Sequence, residues 1–297
     1  MATCPVCLEE SSQKGFRWLS EHMLASASRA DAAHVMWLNA NVSKQRLSAG
    51  ALAESLGKLY DLSDAPLSSW IKRKHISRFL GEPPHPFIAA MQRPSRTVLL
   101  GYVFEHNHFL KQWVKSCAYI LAKTDEEDVQ KYEIENISTE FYGYGDSPSH
   151  RELLIRMGEE LGVPRSRIES TPPLKATADS MLVWNRIARD LHWVSAMAAM
   201  HGMELTADHG LVEEGAKSTY FNPSILTDGS IPQAAANFLR EGYKADKDHS
   251  SRALEMVDKY SVKYGVTEQV QSAFLCSMDA LDRYLVARLE RGKMFEA

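Results

Sequence analysis

The chain has little of what would mark it as secreted, membrane-bound or nucleic-acid-binding. No apolar run is long enough to span a bilayer. The opening Met1-Ala-Thr-Cys-Pro-Val-Cys7 lacks the basic and apolar regions of a secretory signal, so a cytoplasmic location is expected. Net charge is −4 with both signs interspersed, which leaves no basic stripe for nucleic acid. There is no phosphate loop or nucleotide fingerprint, no tandem repeat and no low-complexity segment. Cysteine is scarce, at Cys4, Cys7, Cys117 and Cys276. Cys4 and Cys7 form a CxxC pair, but a structural zinc normally takes four ligands, no second CxxC follows, and the nearest histidine is His22. No strand-helix pattern of a redox motif flanks the pair. The expectation is a frayed terminus with two reduced thiols and no zinc.

What remains is a globular composition, 44% hydrophobic and 24% charged over 297 residues. That length fits one large domain or two ordinary ones. The pattern is nearly all helical, with 3.6-residue periodicity and little strict alternation. Short helices fill residues 1–94, punctuated at Gly50, Pro66 and the Gly81-Glu-Pro-Pro-His-Pro86 run. A long helix is expected from Ser95 to Lys123, and another from Thr124 to Phe141, with Asp125, Glu126 and Glu127 at its positive end. Tyr142-Gly-Tyr-Gly145 ends it, and Asp146 or Ser147 is expected to cap the next helix. Thr171-Pro-Pro173 opens a long helix through Trp184 and Trp193 to Leu205; after a loop at Asn222–Pro232, two more run from Ile231 to Tyr264 and from Thr267 to Arg291. We expect residues 95–297 to form one helical bundle and residues 1–94 an elaboration packed on it.

Polar residues interrupt several inward stripes. Val129, Glu133, Asn136 and Glu140 share one; His150, Leu154, Met157 and Leu161 share the next. Trp193, Met197, Met200 and Glu204 make a third, and Leu239, Gly242, Asp246, His249, Ala253 and Met256 a fourth. Asp246 and His249, three residues apart, point the same way. Singly, each is an ordinary core or pocket residue. Together, buried carboxylates repel unless protons or cations neutralise them. No Arg or Lys falls on these stripes, so a metal ion is the economical partner. His106 and His108 alternate and face different sides of their helix, so at most one lines a pocket. Trp113, Tyr119, Tyr142 and Tyr144 are candidate pocket aromatics.

These residues carry a family resemblance. Asn136-Ile-Ser-Thr-Glu140-Phe-Tyr-Gly-Tyr-Gly-Asp-Ser-Pro-Ser-His150 resembles the motif of haem-oxygenase-like diiron oxidases, the iron-containing redox group with a PqqC/TenA-like fold. Ala198-Ala-Met-His-Gly-Met-Glu204 is similar to the helix that supplies a second Glu, and the Asp246/His249 helix resembles the family's His-x3-Asp-x2-His segment. The resemblance implies an all-α haem-oxygenase-like bundle. It also implies Fe(II), one or two ions, held by Glu140, His150, Glu204, Asp246 and His249, with O2 as co-substrate. The implied activity is oxidative C–C cleavage, decarboxylation or N-oxygenation of a small amino-acid-like or carboxylate molecule in natural-product biosynthesis. Gly242 stands where the family has its first His, which depletes one iron site; His201 and His209 are conceivable substitutes. Partners are expected to be the small-molecule substrate and a second copy in a homodimer, without nucleic acid or membrane. Two rivals stand beside this reading: a metal-free oxidase or thiol hydrolase on the same fold, with Cys276 or Cys117 as nucleophile, and a non-catalytic helical interaction module.

Overall fold

The computed structural model describes the chain except Met1, Lys14, Tyr144, Asp146 and Ala297, together with the side chains of residues 243–250. A two-stranded antiparallel hairpin, β1 (Ala2–Thr3) and β2 (Glu10–Ser11), opens it. Five helices follow: α1 (Phe16–Ser28), α2 (Ala32–Asn41), α3 (Ala49–Tyr60), α4 (Leu67–Phe79) and α5 (Pro86–Met91). Their starts are chemically defined. The Asp31 carboxylate accepts from the Ala33 and His34 amides at the head of α2, and the Ser48 hydroxyl from the Ala51 amide at the head of α3.

Eight further helices follow: α6 (Arg96–Ala122), α7 (Glu127–Tyr142), α8 (His150–Glu160), α9 (Arg165–Ser170), α10 (Lys175–Asp190), α11 (Trp193–His201), α12 (Gln233–Tyr264) and α13 (Thr267–Lys293). The long helices at Ser95 and Thr124 thus form close to their expected bounds, with Ser95 capping α6. The helix expected from Thr171 to Leu205 is divided. Its periodicity continues, but the chain breaks at Leu191-His192, and the His192 ring caps α11 by accepting from the Val194 amide. The cap of α8 is Ser149, later than expected.

α13 is the central helix, packed on α6, α10 and α11. Its run Gln269–Met278 is buried all round, as a helix surrounded by others must be. It meets α6 almost backbone to backbone. A Cβ on Gly101 would lie 1.9 Å from the Arg288 carbonyl oxygen, and one on Gly292 2.7 Å from that of Thr97. These two glycines bring Arg288 beside the aromatic side chains of α6. Among the described residues, no helix is long and apolar enough to cross a membrane.

Candidate functional site

The turn between α7 and α8 creates the first contact. Gly143 has φ +95°, and a Cβ there would lie 2.1 Å from the Ser147 carbonyl oxygen. Glycine alone tolerates both the conformation and the approach. The chain therefore folds back tightly, Ser149 accepts from the Glu152 amide, and His150 becomes the first residue of α8. Its Nδ1 lies 2.9 Å from Oε1 and 3.0 Å from Oε2 of Glu140, in the last turn of α7.

Glu204 arrives differently from the stripe expected of it. α11 ends at His201, and Glu204 opens a 3-10 turn, Glu204–Thr206. His201 is fully buried, its Nε2 2.9 Å from Glu133 Oε1 and its Nδ1 3.3 Å from Glu204 Oε1. Burial would lower its pKa, but Glu133 and Glu204 outweigh that and raise it to about 10. His201 is thus a buried imidazolium between two carboxylates. The expectation that a metal would be the economical neutraliser missed this nearer cation. It does not saturate the acids: Oε2 of Glu133 and Oε2 of Glu204 are buried without a hydrogen-bond partner. Cys117, Glu133 and His201 also bring their ligand atoms within 4.8 Å of one another.

Glu140, His150 and Glu204 line one cavity of the bundle, about 120 Å³, which Gly242 also lines. Their ligand atoms do not form one of the close clusters among the described residues. Asp246 and His249 lie outside the described residues. The apolar wall includes Phe109, Trp113 and Phe238. Of the histidine pair, His106 lines the cavity and His108 bonds the Thr171 carbonyl. Trp113 is a wall residue, whereas Tyr142 is 77% exposed, Tyr119 packs elsewhere against the core, and Tyr144 is outside the described residues. His209 does not line the cavity. Neither thiol does either: burial, with Asp279 nearby, pushes Cys276 up to about 12, and burial, with Glu133 nearby, holds Cys117 well above its ordinary value.

The N-terminus is not frayed. Cys4 is fully buried, and the hairpin and first two helices gather Cys4, Cys7, His22 and His34 with all four ligand atoms within 4.8 Å. Cys4 Sγ lies 3.5 Å from His34 Nε2, and Cys7 Sγ 3.3 Å from His22 Nε2. Tetrahedral zinc, with bonds of about 2.3 Å to sulfur and about 2.0 Å to nitrogen, sets its ligands roughly 3.3–3.8 Å apart, so this donor set fits it. Each ring turns its other nitrogen to a carboxylate. His34 Nδ1 is 3.2 Å from Asp31 Oδ2, without the angle of a hydrogen bond, and His22 Nδ1 is 3.6 Å from Glu9 Oε2. Carboxylates in that place orient metal-bound imidazoles. The four-ligand count went unmet in the sequence because the histidines sit on two helices, eleven residues between them.

Comparison with known proteins gives four findings. The sequence profile of the TENA/THI-4/PQQC family matches residues 70–291. A profile of C2H2 type zinc fingers, one copy, matches residues 1–61. No curated protein matches. Among solved structures, a CADD-like protein of unknown function from Nostoc punctiforme is 17% identical, with a TM-score of 0.52 over 84% of this chain and 97% of that one. A TenA homolog from Pseudomonas syringae pv. tomato is 14% identical, with a TM-score of 0.56 over 78% and 96%. A domain of unknown function with a heme oxygenase-like fold from Shewanella denitrificans is 15% identical, with a TM-score of 0.56 over 85% and 97%. At these identities the structures establish the all-α, haem-oxygenase-like architecture.

Proposed function

This chain belongs to the TENA/THI-4/PQQC family, and from that premise we propose that its bundle is an Fe(II)- and O2-dependent oxidase of a small molecule held in the cavity. One observation carries the reading. Glu140 and His150 meet at 2.9 Å on the wall of the cavity that Glu204 also lines, and Glu204 keeps a buried oxygen without a partner. Carboxylate and imidazole donors with room for an exogenous molecule suit non-haem iron. Glu140, His150 and Glu204 would hold the metal, joined from α12 by Asp246 and His249. Bound Fe(II) supplies the electrons that let O2 react with a closed-shell organic molecule.

The chain's own groups have separable roles. Gly143 and Ser149 fix the Glu140–His150 pair. His201 donates from Nδ1 toward Glu204 Oε1 and from Nε2 to Glu133, which makes it a positioning residue for Glu204. Phe109, Trp113 and Phe238 exclude water and give the substrate an apolar seat. The thiol-hydrolase alternative lacks a cavity-lining thiol, and the two interior thiols are held protonated. A metal-free oxidase on this fold is the remaining enzymatic alternative. The oxidase reading predicts that anaerobic Fe(II) titration gives saturable binding to wild type that His150→Ala abolishes while circular dichroism stays unchanged. Equal iron binding by His150→Ala would overturn it.

We also propose that Cys4, Cys7, His22 and His34 hold a structural zinc. The support is a closed four-ligand set, which leaves no position for a substrate. One zinc per chain, lost in Cys4→Ser/Cys7→Ser, is the expected result; full zinc retention in that variant would remove the assignment.

A further inference from the structure

Arg288 of α13 is 3% exposed, lines the cavity, and has no carboxylate within 4.0 Å among the described residues. Its neighbour along the helix shows the usual arrangement, since Arg291 Nε lies 2.6 Å from Glu105 Oε1. Arg288 is surrounded instead by neutral groups. Nη1 donates to the Tyr220 hydroxyl at 2.6 Å, and Nη2 donates to the Tyr284 hydroxyl at 2.8 Å and to His106 Nδ1 at 2.9 Å. Its guanidinium carbon sits 4.1 Å from the centre of the Tyr102 ring and 4.4 Å from that of Tyr284. Nε is buried without a partner. His106 is no counter-ion: burial, Arg288 and His150 all push its pKa down, so it is neutral.

A buried guanidinium held by phenols and a neutral imidazole is solvated but not neutralised. Removing a charge from water without an opposite charge is costly, and proteins ordinarily supply a carboxylate. Here no carboxylate pairs with the guanidinium: the two that line the cavity, Glu140 and Glu204, face His150 and His201, and the groups around Arg288 are Tyr102, Tyr220, Tyr284 and His106. We propose that Arg288, with the Tyr220 and Tyr284 hydroxyls, receives the carboxylate of a small substrate with an apolar body, so that the metal-ligating residues are not what binds it. The cavity, about 120 Å³, is on the scale of the ~150 Å³ space that accepts benzene, which limits the substrate's apolar body to about one ring or a short branched chain. The inference rests on the oxidase reading for the cavity's being a substrate site, but its chemistry needs no metal.

The test therefore uses the full chain freed of iron. Benzoate and its neutral amide, benzamide, are titrated by calorimetry and by thermal shift. Charge-assisted hydrogen bonds to a buried guanidinium predict a preference for benzoate of roughly tenfold to a hundredfold. Arg288→Met should erase the preference and leave the unliganded melting temperature equal or higher, because an uncompensated buried charge is removed. Should Arg288→Met not fold, Arg288→Lys keeps the charge and should retain a reduced preference for benzoate. Equal binding of benzoate and benzamide by wild type, no binding of either, or an unchanged benzoate preference in Arg288→Met would each overturn the proposal. Iron titration of the same samples separates the two readings: lost iron binding with intact benzoate preference sinks the oxidase alone, and the reverse sinks the carboxylate site alone.

Discussion

The molecule contains two polar clusters built on opposite plans. At the N-terminus four ligands from one hairpin and two helices close on one another, each ring nitrogen facing either a thiol or a carboxylate. In the bundle, Glu140, His150 and Glu204 from α7, α8 and the turn after α11 line a cavity, and Glu204 keeps one buried oxygen unused. Closed sets hold structure, and sets with open positions admit reactants. The pairing within each also differs in origin. The first is local in sequence and offers two thiols that a metal could bind; the second is already partly neutralised by His201.

That contrast predicts unequal consequences of mutation. The largest effect should follow Cys4→Ser/Cys7→Ser. Structural zinc in isolated finger peptides contributes about 10–16 kcal/mol of apparent binding free energy that is also folding free energy. The N-terminal segment should therefore lose helical content and the melting temperature fall, while iron binding by the bundle persists. Unchanged far-ultraviolet dichroism in this variant would put the two clusters on the same footing. A smaller effect is expected at Gly242, which lines the cavity and stands where the resemblance to diiron oxidases implies a histidine. A lost outer-shell partner costs about 10–100-fold in metal affinity, and a missing ligand at least as much. Gly242→His should tighten the weaker of two iron-binding steps by that order. Two equally tight irons in wild type would mean that another residue already fills the gap.

The smallest effect concerns acid stability, at His75, whose Nε2 lies 3.4 Å from Thr206 Oγ1 in the turn that carries Glu204. Burial lowers the pKa of His75 to about 3 from 6.5. Between those values the unfolded chain binds a proton at this residue and the folded chain does not, so stability falls as pH drops from about 6.5 toward 3. His75→Gln should flatten that part of the stability curve in urea titrations. An identical slope in both proteins would show that other groups govern it.

Much of the bundle was legible because its signals are local. Ser95 before an apolar-periodic run marked α6, and Gly143 with Gly145 marked the return that joins Glu140 to His150. The division at Leu191-His192 was not legible, since periodicity passes through it and histidine is an uncommon cap. For that reason Glu204 reads as part of a helical stripe, though a 3-10 turn presents it. The Cys2His2 cluster was hidden by its spacing. Its histidines are held by separate helices, so no contiguous motif announces them. Arg288 gave no signal either, because a basic residue in the Arg283–Arg291 segment reads as solvent-facing until the packing at Gly101 and Gly292 draws α13 onto α6.

The proposed iron site in the bundle cavity is distinct from the N-terminal cluster. Metal quantification on anaerobically Fe(II)-loaded, desalted full-length chain tests it most directly, comparing wild type with His150→Ala/Glu204→Ala. One zinc per chain is expected in both proteins, and one to two irons in wild type that disappear from the double variant. Iron retained in the double variant, or no iron in wild type, would contradict it.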